Sequence, residues 1–532
     1  MLYSEGRKGG KKDSGALNVL ALFFFLLLLT GCQEEKTYTK RNLTLETFSD
    51  MKVDDCALDS LAVIENLKHL CQMDNDGSFA SKHTRQYYRG GGGLVWVDYN
   101  GVTTCADTLL AILRESLPAM GFQEHVFRLS QIEEDLDRMH GLDFDETHPI
   151  NNVVSRLDYN LTSAYLRYMT GQRFGFVNPD FVLNRFDARD RDTAGVVLSY
   201  RHLFDVGMEH PGDSYVNWTL HQVATDSFAI CLRQVETSNP LYAHLKKLLP
   251  ETTGSQRRRV LINMERCRWR ENQLPVKGQK YIIVNVPAYH LWAVGPDSVI
   301  DMRVACGAVK TKTPLLSSYI TRMEVNPEWV IPMSIIRDDV VRHAGDSGYF
   351  ARHRYYISER KTGKHLPSTM VTKAMLNSGN YRVAQQGGAG NSLGRIIFRF
   401  PNNFSVFLHD TSSPGAFGRD NRGVSHGCVR VQRPFDLAVF LMDDASDDWL
   451  LDKLRISMGM KPETERGRDY MDELNPEEPT PTLVHSLPVS PRVPLFITYS
   501  TIFRTPDGSL QYYPDVYGYD DVIGKALNTY IQ

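Results

Sequence analysis

Residues 406–431 read VFLHDTSSPGAFGRDNRGVSHGCVRV and hold one cysteine, Cys428, with His409 nineteen residues upstream and His426 two residues before it. Those residue types can do acyl transfer. A free thiol has a pKa of about 8.5 and is only a few per cent thiolate at neutral pH, so a nucleophilic cysteine needs a base or a positive field beside it. The apolar run 406–408 predicts a strand that carries His409 at its end, and a loop rich in Gly, Ser, Pro and Asn brings the chain back to Ser425, His426, Gly427 and Cys428. That return makes His409 the expected base. If the second segment runs extended, the Cβ atoms of 426 and 428 share a face, Arg430 shares it again, and Gly427 leaves the backbone approachable. His426 is then expected to orient or polarise, and Arg430 to supply a cationic lining for a thiolate or a carboxylate. Backbone N–H groups near the glycine are expected to face a tetrahedral oxyanion.

Three other readings compete. Simple packing of a Cys beside a His is common, but three polar or ionisable residues among glycines make poor core material. Half of a zinc site would need further ligands, and no CxxC, HExxH or second Cys/His pair lies nearby. In a papain-like protease the Cys precedes the His and opens a helix, whereas here His409 comes first and the thiol follows a glycine. No metal and no organic cofactor is expected.

His409, Ser425, His426, Gly427, Cys428 and Arg430 together resemble the signature of the L,D-transpeptidases, the YkuD-like cysteine enzymes: a His, a gap of about sixteen residues, Ser/Thr-His-Gly-Cys, then Asn or Arg two further on. The resemblance implies Cys428 as acyl-accepting nucleophile, His409 as proton acceptor and donor, and His426, Gly427 and the Cys428 backbone as the oxyanion side. Ser425 and Arg430 are then expected to line the substrate. It also implies that a backbone carbonyl holds the base, so Asp410 is not a triad member merely by adjoining His409.

The elements that must position these residues occupy a long chain. At 532 residues, 42% hydrophobic and 23% charged, it is globular and exceeds one core, and 60 basic against 63 acidic residues (net −3) give no electrostatic case for nucleic acid. Arg7, Lys8, Lys11 and Lys12 precede an apolar stretch, 19–29, too short for a membrane span, and Leu29-Thr30-Gly31-Cys32 resembles a bacterial lipobox. Residues 1–31 are therefore read as a lipoprotein signal peptide and Cys32 as the lipidated first residue. That places the protein in the periplasm, anchored to a bacterial membrane, with the outer membrane favoured. Six further cysteines, at 56, 71, 105, 231, 267 and 306, can pair in fifteen ways or stay free.

Helical spacing dominates from 42 to 249, as in Leu109, Ile112, Leu113 and Leu117, or Leu161, Ala164, Tyr165 and Tyr168, and these aromatic stripes read as core. Tyr87, Tyr88, Leu94 and Trp96, with Leu161-Thr162 and Arg173-Phe174-Gly175, resemble the scaffold of the YcbB-like branch. Only about ten residues separate Leu249 from Arg259, so the inserted peptidoglycan-binding module of longer YcbB-like enzymes is expected to be lacking. From 261 the rhythm turns to β: 281–287, 289–294, 303–309, 396–400, 405–408 and 496–501 are apolar runs bounded by turns. Between them, 337–383 is polar and poorly periodic, and resembles a capping loop or subdomain. Residues 461–489 read as an exposed connection, and the tail after Arg492 as part of the catalytic domain.

The expected fold is multidomain α+β: a mainly helical scaffold (32–260), then a mostly β L,D-transpeptidase catalytic domain (261–532) with a capping insertion at 337–383. The resemblance implies 3→3 cross-linking of peptidoglycan tetrapeptide stems, donor and acceptor, with release of terminal D-alanine; cell-wall synthesis proteins are possible partners. L,D-carboxypeptidase action, attachment of a protein to peptidoglycan by the same chemistry, or a non-catalytic wall scaffold remain the alternatives.

Overall fold

Alternation of small and branched apolar side chains with polar ones closes the C-terminal half into a barrel. The computed structural model describes residues 58–98, 101–442, 447–475 and 478–531. The expected leader, Cys32 and Cys56 lie outside the described residues. Among the described residues no helix is long and apolar enough to cross a membrane. Cys71, Cys105, Cys231, Cys267, Cys306 and Cys428 are free thiols.

The barrel strands are β1 (Tyr281–Asn285), β2 (His290–Val294), β3 (Val299–Gly307), β4 (Leu315–Val325), β5 (Ile396–Arg399), β6 (Leu408–His409), β7 (Gly423–Ser425), β8 (Val429–Val431) and β9 (Ser486–Thr498). Their order is β5-β6-β8-β3-β2-β1-β9-β4, and β4 pairs β5 to close the ring, while β7 runs parallel to β3 off that path. Closure removes the exposed edges that an open sheet of this length would leave. Ile282, Val284, Leu291, Val304, Ile320, Phe398, Leu408, Val429 and Leu495 are fully buried or nearly so. Through the period of two they fill the interior, which sends Arg399, Phe407, His409 and Arg430 outward.

The N-terminal half packs helices around Ile150–Phe174, a 25-residue helix buried on almost every side. Its Asp158 accepts hydrogen bonds from the Tyr88 hydroxyl and the Val95 and Trp96 amides, and its Thr162 Oγ1 accepts from Trp96 Nε1 at 2.9 Å. The resemblance to a scaffold at Tyr88, Trp96 and Thr162 thus falls on one buried polar cluster.

Three features add to the expected divisions of the chain. A single helix, Gly254–Arg268, runs through the expected boundary at 260/261. Its buried Glu265 accepts from the Val177 amide of the scaffold at 2.7 Å, while its Asn263 donates to Thr501 beyond the last barrel strand at 2.8 Å, so it belongs to both halves. The tail also divides. Ser486–Thr498 is a barrel strand, whereas the final helix Tyr519–Ile531 returns to the scaffold, where the Tyr530 carbonyl accepts from Gln123 N and its ring packs on Phe122 and Phe176. Lastly, the connection at 461–489 includes the helix Glu465–Asp472, whose start is held by Asp452 through the amides of Glu463 and Thr464.

Residues 337–383, expected as a capping loop or subdomain, lie within a folded unit that begins at Trp329 and ends at Gln385. Trp329–Val330, Tyr381–Gln385, Tyr355–Glu359 and His365–Leu366 form a four-stranded sheet, backed by Met333–Asp338, Ser347–Arg352 and Lys373–Asn377. Ile331, Ile336, Val340, Phe350, Ile357, Val371, Leu376 and Val383 make its own core. Each short element contributes only one or two of these residues, which is why no window of the sequence shows a period.

Candidate active site

β6 and β8 pair in parallel, Leu408 with Val429 and His409 with Arg430. Because Leu408 and Val429 point into the barrel, Phe407, His409, Cys428 and Arg430 share its outer face. Ile397 lies opposite His409 on β5, which places Arg399 beside Phe407 on that face; its guanidinium sits 4.9 Å from the Phe407 ring centre. The Phe407 ring in turn meets the His409 ring edge-on at 5.7 Å.

His409 is buried, and its Nδ1 lies 2.5 Å from the carbonyl oxygen of Asp410. A carbonyl only accepts, so Nδ1 carries the proton and Nε2 presents its lone pair. The Asp410 carboxylate is engaged elsewhere, accepting from the Arg395 and Thr411 amides at 2.7 Å each. Burial pulls the His409 imidazole from 6.5 down to about 4, the Arg430 charge adds to this, and the Asp410 and Leu393 carbonyls oppose it. Burial pushes the Cys428 thiol up, against the lowering effect of the Phe407 N–H and of the Arg399 and Arg430 charges. At neutral pH the two groups are therefore a thiol and a neutral imidazole. Burial also lowers the Arg430 pKa, and its Nε has no hydrogen-bond partner among the described residues.

The turn before the thiol departs from the extended form the sequence suggested. Gly427 has φ 120°, a backbone that favours glycine, so the chain bends there; His426 is exposed to solvent, while Cys428 falls in step with Arg430. Ser425 is buried, and its hydroxyl is committed within the turn: it donates to the Cys428 carbonyl at 2.5 Å and accepts from the Gly427 N–H at 3.1 Å. That bond occupies one of the amides expected to face an oxyanion. The Ser425 carbonyl is held by Ala308 N and by Thr311 Oγ1. Gly394 has φ 69°, and a Cβ there would meet the Asp410 carboxylate at 2.4 Å, so glycine lets the loop close over the residue whose carbonyl holds His409.

Sequence reasoning missed Phe407, which shares the parity of His409 in its own run and which a period-two reading could have found, and Arg399, which only the pairing of β5 with β6 brings to that face. It also missed Glu324, which holds Arg399 through Nε and Nη2 at 3.1 and 3.0 Å. Cavities of about 280 Å³ within the scaffold and about 260 Å³ at its seam with the barrel do not touch Cys428. The site is therefore assigned by chemistry and not by cavity size. Among the described residues no group of three or more His, Cys, Asp and Glu side chains is placed to hold a metal ion.

Residues 279–446 match the family described as the L,D-transpeptidase catalytic domain (YkuD), and residues 82–249 match one described as a scaffold domain. A Haemophilus influenzae protein assigned as an L,D-transpeptidase is 26% identical over 325 residues, 60% of this chain and 60% of its own length. The structure of the Ldtfm–avibactam carbamoyl enzyme aligns at 14% identity with a TM-score of 0.19, over 33% of this chain and 49% of that one, a likeness too slight to carry an argument. Residues 279–446 are thus an L,D-transpeptidase (YkuD-like) catalytic domain, homologous to those of distant bacterial L,D-transpeptidases and preceded by a mainly helical scaffold.

Proposed function

We propose that this protein is a periplasmic cysteine acyltransferase that joins peptidoglycan stems by 3→3 cross-links, in a YcbB-like branch lacking the inserted wall-binding module. The observation that supports it most is the parallel pairing of β6 with β8, which sets the His409 imidazole, its Nδ1 held by the Asp410 carbonyl, on the same outer face as the Cys428 thiol. His409 Nε2 takes the thiol proton as sulfur attacks the carbonyl of the third residue of a donor tetrapeptide. The carbon–nitrogen bond to the terminal D-alanine breaks, and its amine leaves with the proton from His409. The side-chain amine of an acceptor stem then attacks the thioester, His409 accepts its proton, and the thiol is restored. No metal or organic cofactor enters these steps.

The Cys428 N–H, adjacent to the bend at Gly427, is the backbone donor this reading assigns to the oxyanion. His426 stands at the solvent side, where it meets the substrate. Arg430, with its unpaired Nε, receives a stem carboxylate. Ser425 serves the substrate indirectly, by fixing the turn that carries the thiol. The insertion acts as a cap that keeps water from the thioester so that the amine wins. Lipidation at Cys32 anchors the protein to a membrane, the outer membrane by preference, within reach of the wall.

The test is intact-mass analysis of the full chain with a disaccharide-tetrapeptide muropeptide, alongside Cys428→Ala and His409→Ala. A transient adduct lacking one D-alanine, followed by a dimer resistant to D,D-endopeptidase, is expected from the parent alone. Adduct and tripeptide without dimer would make the protein an L,D-carboxypeptidase. An untouched substrate, consumed by a known L,D-transpeptidase under the same reducing conditions, would leave a non-catalytic wall scaffold.

A further inference from the structure

Asp187 and Arg201 stand at the base of a scaffold hairpin, Ala188–Arg191 with Val197–Tyr200, and are tied together by a bond from Arg201 N to the Asp187 carbonyl at 2.9 Å. From that base two contacts reach one loop of the catalytic domain. Arg201 Nη1 donates to the Lys310 carbonyl at 2.5 Å, and the Asp187 carboxylate takes Lys312 Nζ at 2.7 and 2.9 Å. The ion pair is shielded: the two side chains are 14% and 4% exposed, and the Lys312 ammonium lies over the Phe186 and Tyr517 rings at 5.3 and 5.9 Å. A buried pair of this kind adds little net stability, but separating its partners is costly because it strands a buried charge.

Between the two grips lies Thr311, whose Oγ1 donates to the Ser425 carbonyl at 2.8 Å, and Ala308 N donates to the same oxygen at 3.0 Å. The carbonyls of Lys312 and Thr311 also back Gly427, at 3.7 and 4.0 Å from where its Cβ would stand. The far end of the loop is fixed as well. Gly307 N donates to Thr313 Oγ1, and the Tyr517 hydroxyl bridges the Gly307 carbonyl and the Thr313 amide.

We infer that Asp187 and Arg201 are positioning residues: the scaffold clamps residues 310–312 at two points, and this loop holds the Ser425–Cys428 turn and thereby the thiol. The scaffold is on this account part of the catalytic apparatus, although it contributes no reacting group. The inference rests on Cys428 being the nucleophile for its catalytic consequence, but its structural content can be read without activity.

The experiment compares the full-length parent with Asp187→Asn and with Asp187→Leu/Lys312→Met, the second of which leaves no unpaired charge buried. Hydrogen exchange is followed at 308–313 and 424–429, against the barrel strands β1 and β9. The clamp predicts exchange about tenfold faster or more in those two segments alone, together with a fall of about 10- to 100-fold in the rate of Cys428 acylation by the muropeptide, as small displacements of reacting groups produce. Unchanged exchange at 424–429 overturns it, and so does acceleration spread equally over the barrel, which marks a merely structural role. Should the parent form no Cys428-dependent adduct, the proposed function fails while the exchange pattern still decides the clamp.

Discussion

Replacing Arg430 by methionine should raise the pKa of His409, by an amount the structure bounds. Burial is the largest of the influences that bring the imidazole from 6.5 to about 4, and Arg430 is second. His409 and Arg430 are directly paired residues of neighbouring strands, whose chains lie about 4.8 Å apart. Two charges at that separation and an effective dielectric near 20 would interact by about 3 kcal/mol. The guanidinium reaches beyond its own Cα and must contribute less than burial, so a rise of about one pH unit, worth ~1.4 kcal/mol, is expected.

The linkage follows from the sign. A histidine whose folded pKa is depressed gives stability that is fully present above its unfolded value, near 6.5, and lost as pH falls through about 4. For His409 the whole effect is about 3 kcal/mol. Arg430→Met should therefore recover ~1.4 kcal/mol of it below pH 4 and none at pH 7. Methionine keeps the length of the side chain while sparing a guanidinium whose Nε has no partner, so the variant is expected to fold. The assay is an NMR titration of ring-labelled histidine, with the His409 signal identified from its absence in His409→Gln, beside urea unfolding at pH 7 and pH 4. The acidic limb of the Cys428 acylation rate should move up with the imidazole. If His409 titrates at the same pH in both proteins, Arg430 is not in its field and the shared outer face derived from the strand register is wrong.

Substitutions at Gly394 and Ser425, each with a control, test the loops that hold the site. Gly394→Ala combines a left-handed φ of 69° with a Cβ 2.4 Å from the Asp410 carboxylate. The carboxylate must give up its amide partners, so about 3–5 kcal/mol of stability and most His409-dependent acylation should be lost. Gly390→Ala, at φ 78° in open space, should lose only about 1 kcal/mol in the same urea titration, and equal losses would show that strain alone matters. Ser425→Ala removes the donor to the Cys428 carbonyl and the acceptor of the Gly427 N–H. It should reduce the acylation rate about 10- to 100-fold at a stability loss of about 1–3 kcal/mol, with Ser425→Thr retaining activity; unchanged acylation in the alanine variant would refute the brace.

Much of the proposed chemistry can be read from the sequence because it is carried by residue types at short spacing. Ser425, His426, Gly427 and Cys428 are covalently consecutive, and the apolar run before His409 is local, so no tertiary information was needed to propose a thiol and a base. The division into a helical scaffold and a β-rich catalytic domain was equally readable, since periods of 3.6 and 2 are properties of the chain itself. The bend at Gly427 was harder: an extended reading and a turn fit the same four residues, and the choice is made by Ser425 Oγ and by the loop around Thr311, more than a hundred positions away.

Register decided the rest. Whether His409 and Cys428 share a face depends on a parallel pairing that slips every side chain to the other face if shifted by one residue. The Arg399 charge near the thiol and the Asp187–Lys312 pair are contacts between segments whose separation in sequence says nothing about their distance. The core of the insertion was invisible for a related reason: its residues come singly from many short elements and meet only once those elements fold. The sequence alone determined which reactive groups exist and the kind of elements that carry them. Their orientation, ionisation and constraint are set by burial and by partners that only the tertiary structure brings within hydrogen-bonding distance.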